Sequence, residues 1–135
     1  MNANDRLLEL TLPLLSSFGT KWNLHTLVSM KRQTLNRVLY FDQIYREIVN
    51  LPGVICEFGV QWGATTSQLI NLRGLHEPYN YARHIFSFDT FEGFATVDQK
   101  DGTESHVGDY STFQGYEEVL EEILSIHESF LQFPT

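Results

Sequence analysis

Val54-Ile55-Cys56-Glu57-Phe58-Gly59-Val60-Gln61-Trp62-Gly63 is the stretch that decides the fold. β-Branched and apolar residues run into an acid, and two glycines then bracket a turn. Small residues follow, Ala64-Thr65-Thr66-Ser67, and after them the apolar Leu69, Ile70 and Leu72. This pattern predicts a buried strand, a tight turn and a helix, the first βα unit of an open α/β sheet. In such sheets a nucleotide-bearing ligand sits at the carboxyl end of the strand and the N-terminus of the next helix. About 30 residues further on, Ile85-Phe86-Ser87-Phe88 reads as a second strand and ends in Asp89. An acid at that position is the usual acceptor for ribose hydroxyls.

On the N-terminal side, Leu7 to Leu15 is leucine-rich, with Asn4 as the candidate N-cap and Pro13 as the residue that ends or kinks a helix. Ser16-Ser17-Phe18-Gly19-Thr20 reads as a linker, and Trp22 to Met30 as a second short helix. From Thr34, the residues Leu35, Val38, Leu39, Phe41, Tyr45, Ile48 and Val49 mostly keep helical spacing until Leu51-Pro52-Gly53 stops them. Residues 1–53 are therefore expected to form a helical cap, and residues 54–135 part of a cofactor-binding domain. Trp22, Tyr40 and Tyr45 are expected in the core.

On the C-terminal side, Arg73-Gly74 is the expected end of the helix after the first turn. The loop from Asp89-Thr90-Phe91-Glu92-Gly93-Phe94 to Tyr110 is acidic and too long for a plain connection. Its segment Asp98-Gln99-Lys100-Asp101-Gly102-Thr103-Glu104 lacks the ligand spacing of an EF-hand and reads as solvated. The five histidines are scattered without a paired spacing and carry no expected function; His106, beside Glu104, is the one that merits a test. Ser111 and Gln114 have capping-box spacing and predict a helix beginning near Ser111. Its apolar face is expected to be Tyr116, Val119, Leu120, Ile123 and Leu124, with the intervening glutamates on the wet side.

Composition narrows the function. The chain has 135 residues, enough for one modest core, with 42% apolar and 19% charged residues, as in an ordinary folded protein. Seventeen acids against nine bases give a net charge of −8, which argues against a nucleic-acid partner. The single cysteine, Cys56, allows no internal disulfide and no thiolate metal site, and its strand position suggests a small buried hydrophobe. No apolar run approaches the roughly 20 residues of a membrane helix, and the N-terminus lacks the basic start and apolar core of a signal peptide. A cytoplasmic location without a membrane partner is the expectation.

The chemistry sits at the two turns. Glu57-x-Gly-x-x-x-Gly63 lacks the G-x-G-x-x-G spacing that brings a backbone against a pyrophosphate, which counts against NAD or FAD. A cofactor without phosphates, such as S-adenosylmethionine, needs a close backbone and an acid near its ammonium or sulfonium. Gly59 and Gly63 are candidates for the first role and Glu57 for the second. Thr65, Thr66 and Ser67, opening the helix, are candidates to hold the carboxylate, and Asp89 to accept the ribose hydroxyls.

The runs Pro52-Gly53-Val54-Ile55-Cys56-Glu57-Phe58-Gly59-Val60 with Gly63, and Phe88-Asp89-Thr90-Phe91-Glu92-Gly93-Phe94, resemble the macrocin O-methyltransferase family. Arg37-Val38-Leu39-Tyr40, Ile44-Tyr45, Gly108-Asp109-Tyr110-Ser111 and Glu118-Val119 are similar to that family's flanks, so the resemblance spans roughly residues 34 to 127. It implies a class I S-adenosylmethionine-dependent enzyme that methylates a sugar or natural-product hydroxyl. Glu57, Phe58, Gly59, Gly63, Asp89 and Thr90 then carry over as cofactor contacts. The resemblance also implies a magnesium ion and a base in later strand regions that have no match here. The expected architecture is thus a helical cap and the first βαβα part of a Rossmann-like sheet, truncated relative to the family. Its acceptor is a small-molecule hydroxyl, and its open sheet edge favours self-association. The alternatives are a non-catalytic remnant or interaction module, and an enzyme using another adenosine-containing cofactor.

Overall fold

The structure is a computed structural model, and it describes residues 1–98, 100 and 102–130. Two compact units divide the chain, Met1–Tyr40 and the residues from Phe41 onward. In the first unit, α1 (Ala3–Thr11) leads into 3-10 turns at Leu12–Ser17 and Gly19–Lys21. Then come α2 (Trp22–His25), a 3-10 turn at Thr26–Ser29, and the start of α3 (Arg32–Ile48). The cap of α1 is Asn2, whose side chain accepts the Asp5 N–H at 2.9 Å, and not Asn4. Asn4 lies inside the helix and accepts from Lys31 Nζ at 2.7 Å. Pro13 ends the α-helix as expected, because its ring leaves only the first position of a new turn open to it. The expected linker at residues 16–20 is mostly 3-10 turn. No residue of this unit is buried, and Trp22 and Tyr40, expected in the core, are each 57% exposed.

The second unit is built on two parallel strands. β1 (Ile55–Phe58) pairs with β2 (Ile85–Phe88) in the register Ile55 to Ile85 through Phe58 to Phe88. Between them runs α4 (Ala64–His76), and after β2 comes α5 (Tyr116–Ser129). Gly74 does not close α4, which continues to His76, since a lone glycine costs only about 1 kcal/mol inside a helix. A core joins Tyr45 of α3 to Leu69 and Leu72 of α4, with Phe41, Ile48, Ile55 and Ile85 packed around them. A smaller cluster of Val60, Tyr116 and Leu120 holds α5 against the first turn.

Strand periodicity explains where the buried-strand expectation fails. Ile55 and Ile85 face the core, while Cys56, Phe58, Phe86 and Phe88 point to the other side and are exposed. Phe58 and Phe88 stack there with ring centroids 5.1 Å apart. Cys56 is therefore not a buried hydrophobe: among the described residues no helix covers that face of the sheet. α5 also begins later than the capping-box spacing suggests. Its N-cap is Gly115, at φ 82° with no side-chain cap, because Ser111, Thr112 and the residues after them form a turn against Phe91. Only part of its expected apolar face is covered. Tyr116 and Leu120 are buried, whereas Val119 and Ile123 lie on the open side, where the described residues offer them no second layer.

At the opposite end of the strands from the glycine turns lies a feature that the sequence reading missed. Arg83, just before β2, is 3% exposed. It donates to both Glu77 oxygens, at 2.9 and 3.0 Å, and to the carbonyls of Ile48, Leu51 and Gly53. Tyr45 Oη donates to Glu77 at 2.6 Å. One cation thus ties the end of α3 and the entry to β1 to the end of α4. The hydrogen bonds from Arg83 hold the Glu77 carboxyl down at about 2, against an ordinary 4.5. Burial pushes the Tyr45 phenol well above its ordinary value.

Candidate functional site

The carboxyl ends of β1 and β2 open into a cleft of about 420 Å³. Gly59 and Gln61 contribute from the first turn, Phe88, Asp89 and Thr90 from the second, and Gly93, Phe94, Asp109 and Tyr110 from the loop beyond. Among the described residues its lining has two acids and no lysine, arginine or histidine.

Asp89 joins the two turns. One carboxylate oxygen accepts the backbone N–H of Val60 and of Gln61, each at 2.6 Å. The other accepts the N–H of Phe91 at 2.8 Å. Burial pushes the Asp89 carboxyl up, but these backbone donors outweigh it and hold the group below the ordinary 3.8. The acid is therefore ionised at neutral pH and held by the backbone of both turns.

The two glycines of the first turn differ. Gly59, at φ 88°, donates its N–H to the Phe88 carbonyl, and a side chain there would meet open space over the cleft. Gly63, at φ 84°, caps α4, and a Cβ there would collide with the Leu120 side chain of α5. Its small size serves helix packing. Tyr116 supports the same turn by donating its hydroxyl to the Trp62 carbonyl at 2.8 Å.

Glu57, Thr65, Thr66 and Ser67 are not part of the cleft lining. Glu57 is on the α4 side of β1, where it accepts the Thr66 hydroxyl. Thr66 has one proton to give, so the Ser87 hydroxyl 2.9 Å away donates to it in turn. This chain ties both strands to the first turn of α4. Thr65 is buried, and Ser67 Oγ donates to the Ala64 carbonyl at 3.1 Å. Phe58 reaches the exposed face, and Thr90 donates to the Gly93 carbonyl at 3.2 Å on the cleft rim.

The long loop leaves and rejoins the cleft through a narrow base. Phe94 N–H donates to the Asp109 carbonyl at 3.1 Å, and Gly108 N–H to the Phe94 carbonyl at 2.9 Å. The strands of this base cross so closely at Gly93 that a Cβ would collide with the Asp109 and Gly108 carbonyls. Tyr110 stands edge-on to Phe94, with centroids 5.3 Å apart. His106 lies outside the cleft lining and is tied to Asp109, its N–H 2.6 Å and its Nδ1 3.6 Å from one carboxylate oxygen. Gln99 and Asp101 of the solvated-loop expectation lie outside the described residues.

Backbone strain gathers here too. Among the described residues the non-glycine positions with positive φ are Gln61 (52°), Phe91 (58°) and Tyr110 (64°). Gln61 and Tyr110 line the cleft and Phe91 follows Asp89 by two residues. Such conformations cost about 1–3 kcal/mol each and persist where surrounding contacts impose them. Among the described residues no group of three or more histidine, cysteine or acidic side chains is arranged to hold a metal ion, and no helix is long and apolar enough to cross a membrane.

No family model matches the chain, and no curated protein is significantly similar to it. Solved structures do match. The crystal structure of CalS11, described as calicheamicin methyltransferase, superposes with a TM-score of 0.81 at 33% identity, over 92% of this chain and 49% of that one. The apo structure of CalS11, described as a TDP-rhamnose 3′-O-methyltransferase of calicheamicin biosynthesis, gives a TM-score of 0.68 at 31% identity, over 93% and 46%. The chain thus spans about half the length of the structures it matches. The α/β Rossmann-like expectation holds, and both of these neighbours are described as methyltransferases.

Proposed function

We propose that this chain carries the S-adenosylmethionine-binding part of an O-methyltransferase that acts on a sugar or related natural-product hydroxyl, of the macrocin O-methyltransferase kind. The observation that carries the reading is the acidic, base-free cleft at the carboxyl ends of the paired strands, on a fold shared with CalS11. A phosphate-bearing cofactor calls for backbone N–H groups or cations aimed at it, whereas a sulfonium or ammonium calls for acids. Gly59 leaves room for close approach, and Asp89 lines the cleft ionised and fixed by backbone donors.

When bound, S-adenosylmethionine supplies an electrophilic methyl group for in-line transfer to the hydroxyl oxygen. The residues named here bind and orient, and much of the acceleration in such a reaction comes from holding the reactants in line. Asp89 fixes Val60 and Gln61 so that the first turn presents Gly59 to the cleft. Glu57, through Thr66, holds the helix whose N-terminal dipole favours a carboxylate nearby. Neither a catalytic base nor a magnesium ligand is assigned to this chain.

Isothermal titration with S-adenosylhomocysteine, and in parallel with NAD and ATP, tests the reading. Binding of S-adenosylhomocysteine without the other two is the expected result. Equal binding of all three, or of the phosphorylated ligands alone, would point to a different adenosine-containing cofactor.

A further inference from the structure

Charge is divided unevenly between the two units. Met1–Tyr40 has five bases against two acids, whereas the chain from Phe41 onward has fifteen acids against four bases. At a net charge of −8, two copies of the chain repel at long range. Copies that meet through like units set like charge against like. Copies that meet through unlike units bring opposite charges together.

Each unit also presents an apolar helical stripe beside its charges. On α5, Val119, Ile123 and Ile126 keep i, i+4, i+7 spacing and are exposed. Glu118 and Glu122, each one residue before a member of that stripe, are exposed along one edge of it. At the start of α3, Leu35 and Leu39 lie one turn apart and are exposed. Arg32, a turn before Leu35, and Lys31, which leads into the helix, are the exposed bases beside them. Lys31 gives one N–H to Asn4 at 2.7 Å, and an ammonium has three to give. Helices packed on such stripes bring their axes to about 8–10 Å, so charges flanking one side of the seam reach those flanking the other.

We propose that the chain self-associates head to tail, with the acid-flanked stripe of α5 in one copy seated on the base-flanked start of α3 in a second copy. Burial of the two stripes supplies affinity, and Glu118 and Glu122 against Lys31 and Arg32 set which surfaces meet. Every copy carries both surfaces. A reciprocal exchange therefore closes a dimer, and a one-way exchange closes a larger ring or grows into a filament.

The test is sedimentation velocity on the full chain, on Glu118→Lys/Glu122→Lys and on Lys31→Glu/Arg32→Glu, with the two variants run alone and mixed in equal amounts. All four positions are exposed, so circular dichroism and the thermal midpoint should match those of the parent. The parent should associate, and less so at about 0.5 M than at about 0.05 M salt, because screening shortens the reach of exposed charges. Each variant alone sets like charges across the seam, and its dissociation constant should rise about a hundredfold or more. The mixture restores opposite charges at both seams and should associate as the parent does. A monomeric parent overturns the proposal; if it also sediments with vesicles of acidic phospholipid, the basic unit belongs to a membrane surface instead. Association that neither swap weakens overturns it as well and moves the contact to the exposed face of Phe58 and Phe88 or to the sheet edge. Swaps that weaken association without rescue in the mixture show that these acids and bases do not face one another, which also overturns it.

Discussion

The two ends of the same pair of strands are built on opposite principles. At the N-terminal end, Arg83, Glu77 and Tyr45 are buried and satisfied by one another and by three backbone carbonyls. At the carboxyl end, two acids line an open cleft whose described lining includes no base, and the backbone around it is strained. The first end uses charge to hold α3, α4 and the strand entries together. The second keeps charge facing a space that a ligand can fill. A structure assembled only for stability has no reason to concentrate positive-φ residues around an acid-lined cleft, and that contrast makes the carboxyl end the candidate site.

The contrast can be broken most forcefully at the closed end. Arg83→Met leaves the Glu77 carboxylate buried without its cation and orphans the carbonyls of Ile48, Leu51 and Gly53. Removing one partner of a buried pair costs about 3–5 kcal/mol, so urea denaturation should show a loss of that size. A loss below 1 kcal/mol would mean that the network is not holding the unit together.

Acid should act on the same network. Glu77 titrates at about 2 in the folded chain against an ordinary 4.5. A depressed carboxyl stabilises the fold fully above the unfolded value, and this contribution fades as pH falls from about 4.5 toward 2. Glu77→Gln should flatten that acid limb in stability measured against pH. An unchanged limb would assign it to other carboxylates.

The smallest expected effect on stability lies at the open end. Gly93→Ala places a Cβ against the Asp109 and Gly108 carbonyls at a positive φ, for a cost of about 1–3 kcal/mol. Here the ligand site should suffer more than the fold: S-adenosylhomocysteine binding should fall sharply while most helical circular dichroism remains. Normal binding by Gly93→Ala would separate the loop base from the site.

Much of this architecture was legible because it rests on local rules. β2 falls at Ile85–Phe88 as the apolar run suggested, and β1 is displaced by one residue from the Val54–Glu57 pattern. The turn between Gly59 and Gly63 and the helix after it follow from glycine conformation and helical spacing. The candidate site was legible only in part. Gly59, Asp89 and Thr90 reach the cleft, but Glu57 follows the strand's period of two onto the α4 side, where Thr66 accounts for it. Gly63 has the same letter and nearly the same φ as Gly59, yet it answers to Leu120, more than fifty residues away in sequence.

By itself the sequence determined the order of strand, glycine turn, helix and second acid-ended strand, because each depends on residues within a turn or two of one another. Only the tertiary structure decided which acids line the cleft and which hold the fold. Tyr45, Glu77 and Arg83 are separated by loops and helices, and nothing in their spacing marks them as partners. Asp109 enters the cleft because Phe94 pairs with it across the long loop. A carboxylate's role depends on the donors that reach it, and those donors come from distant parts of the chain.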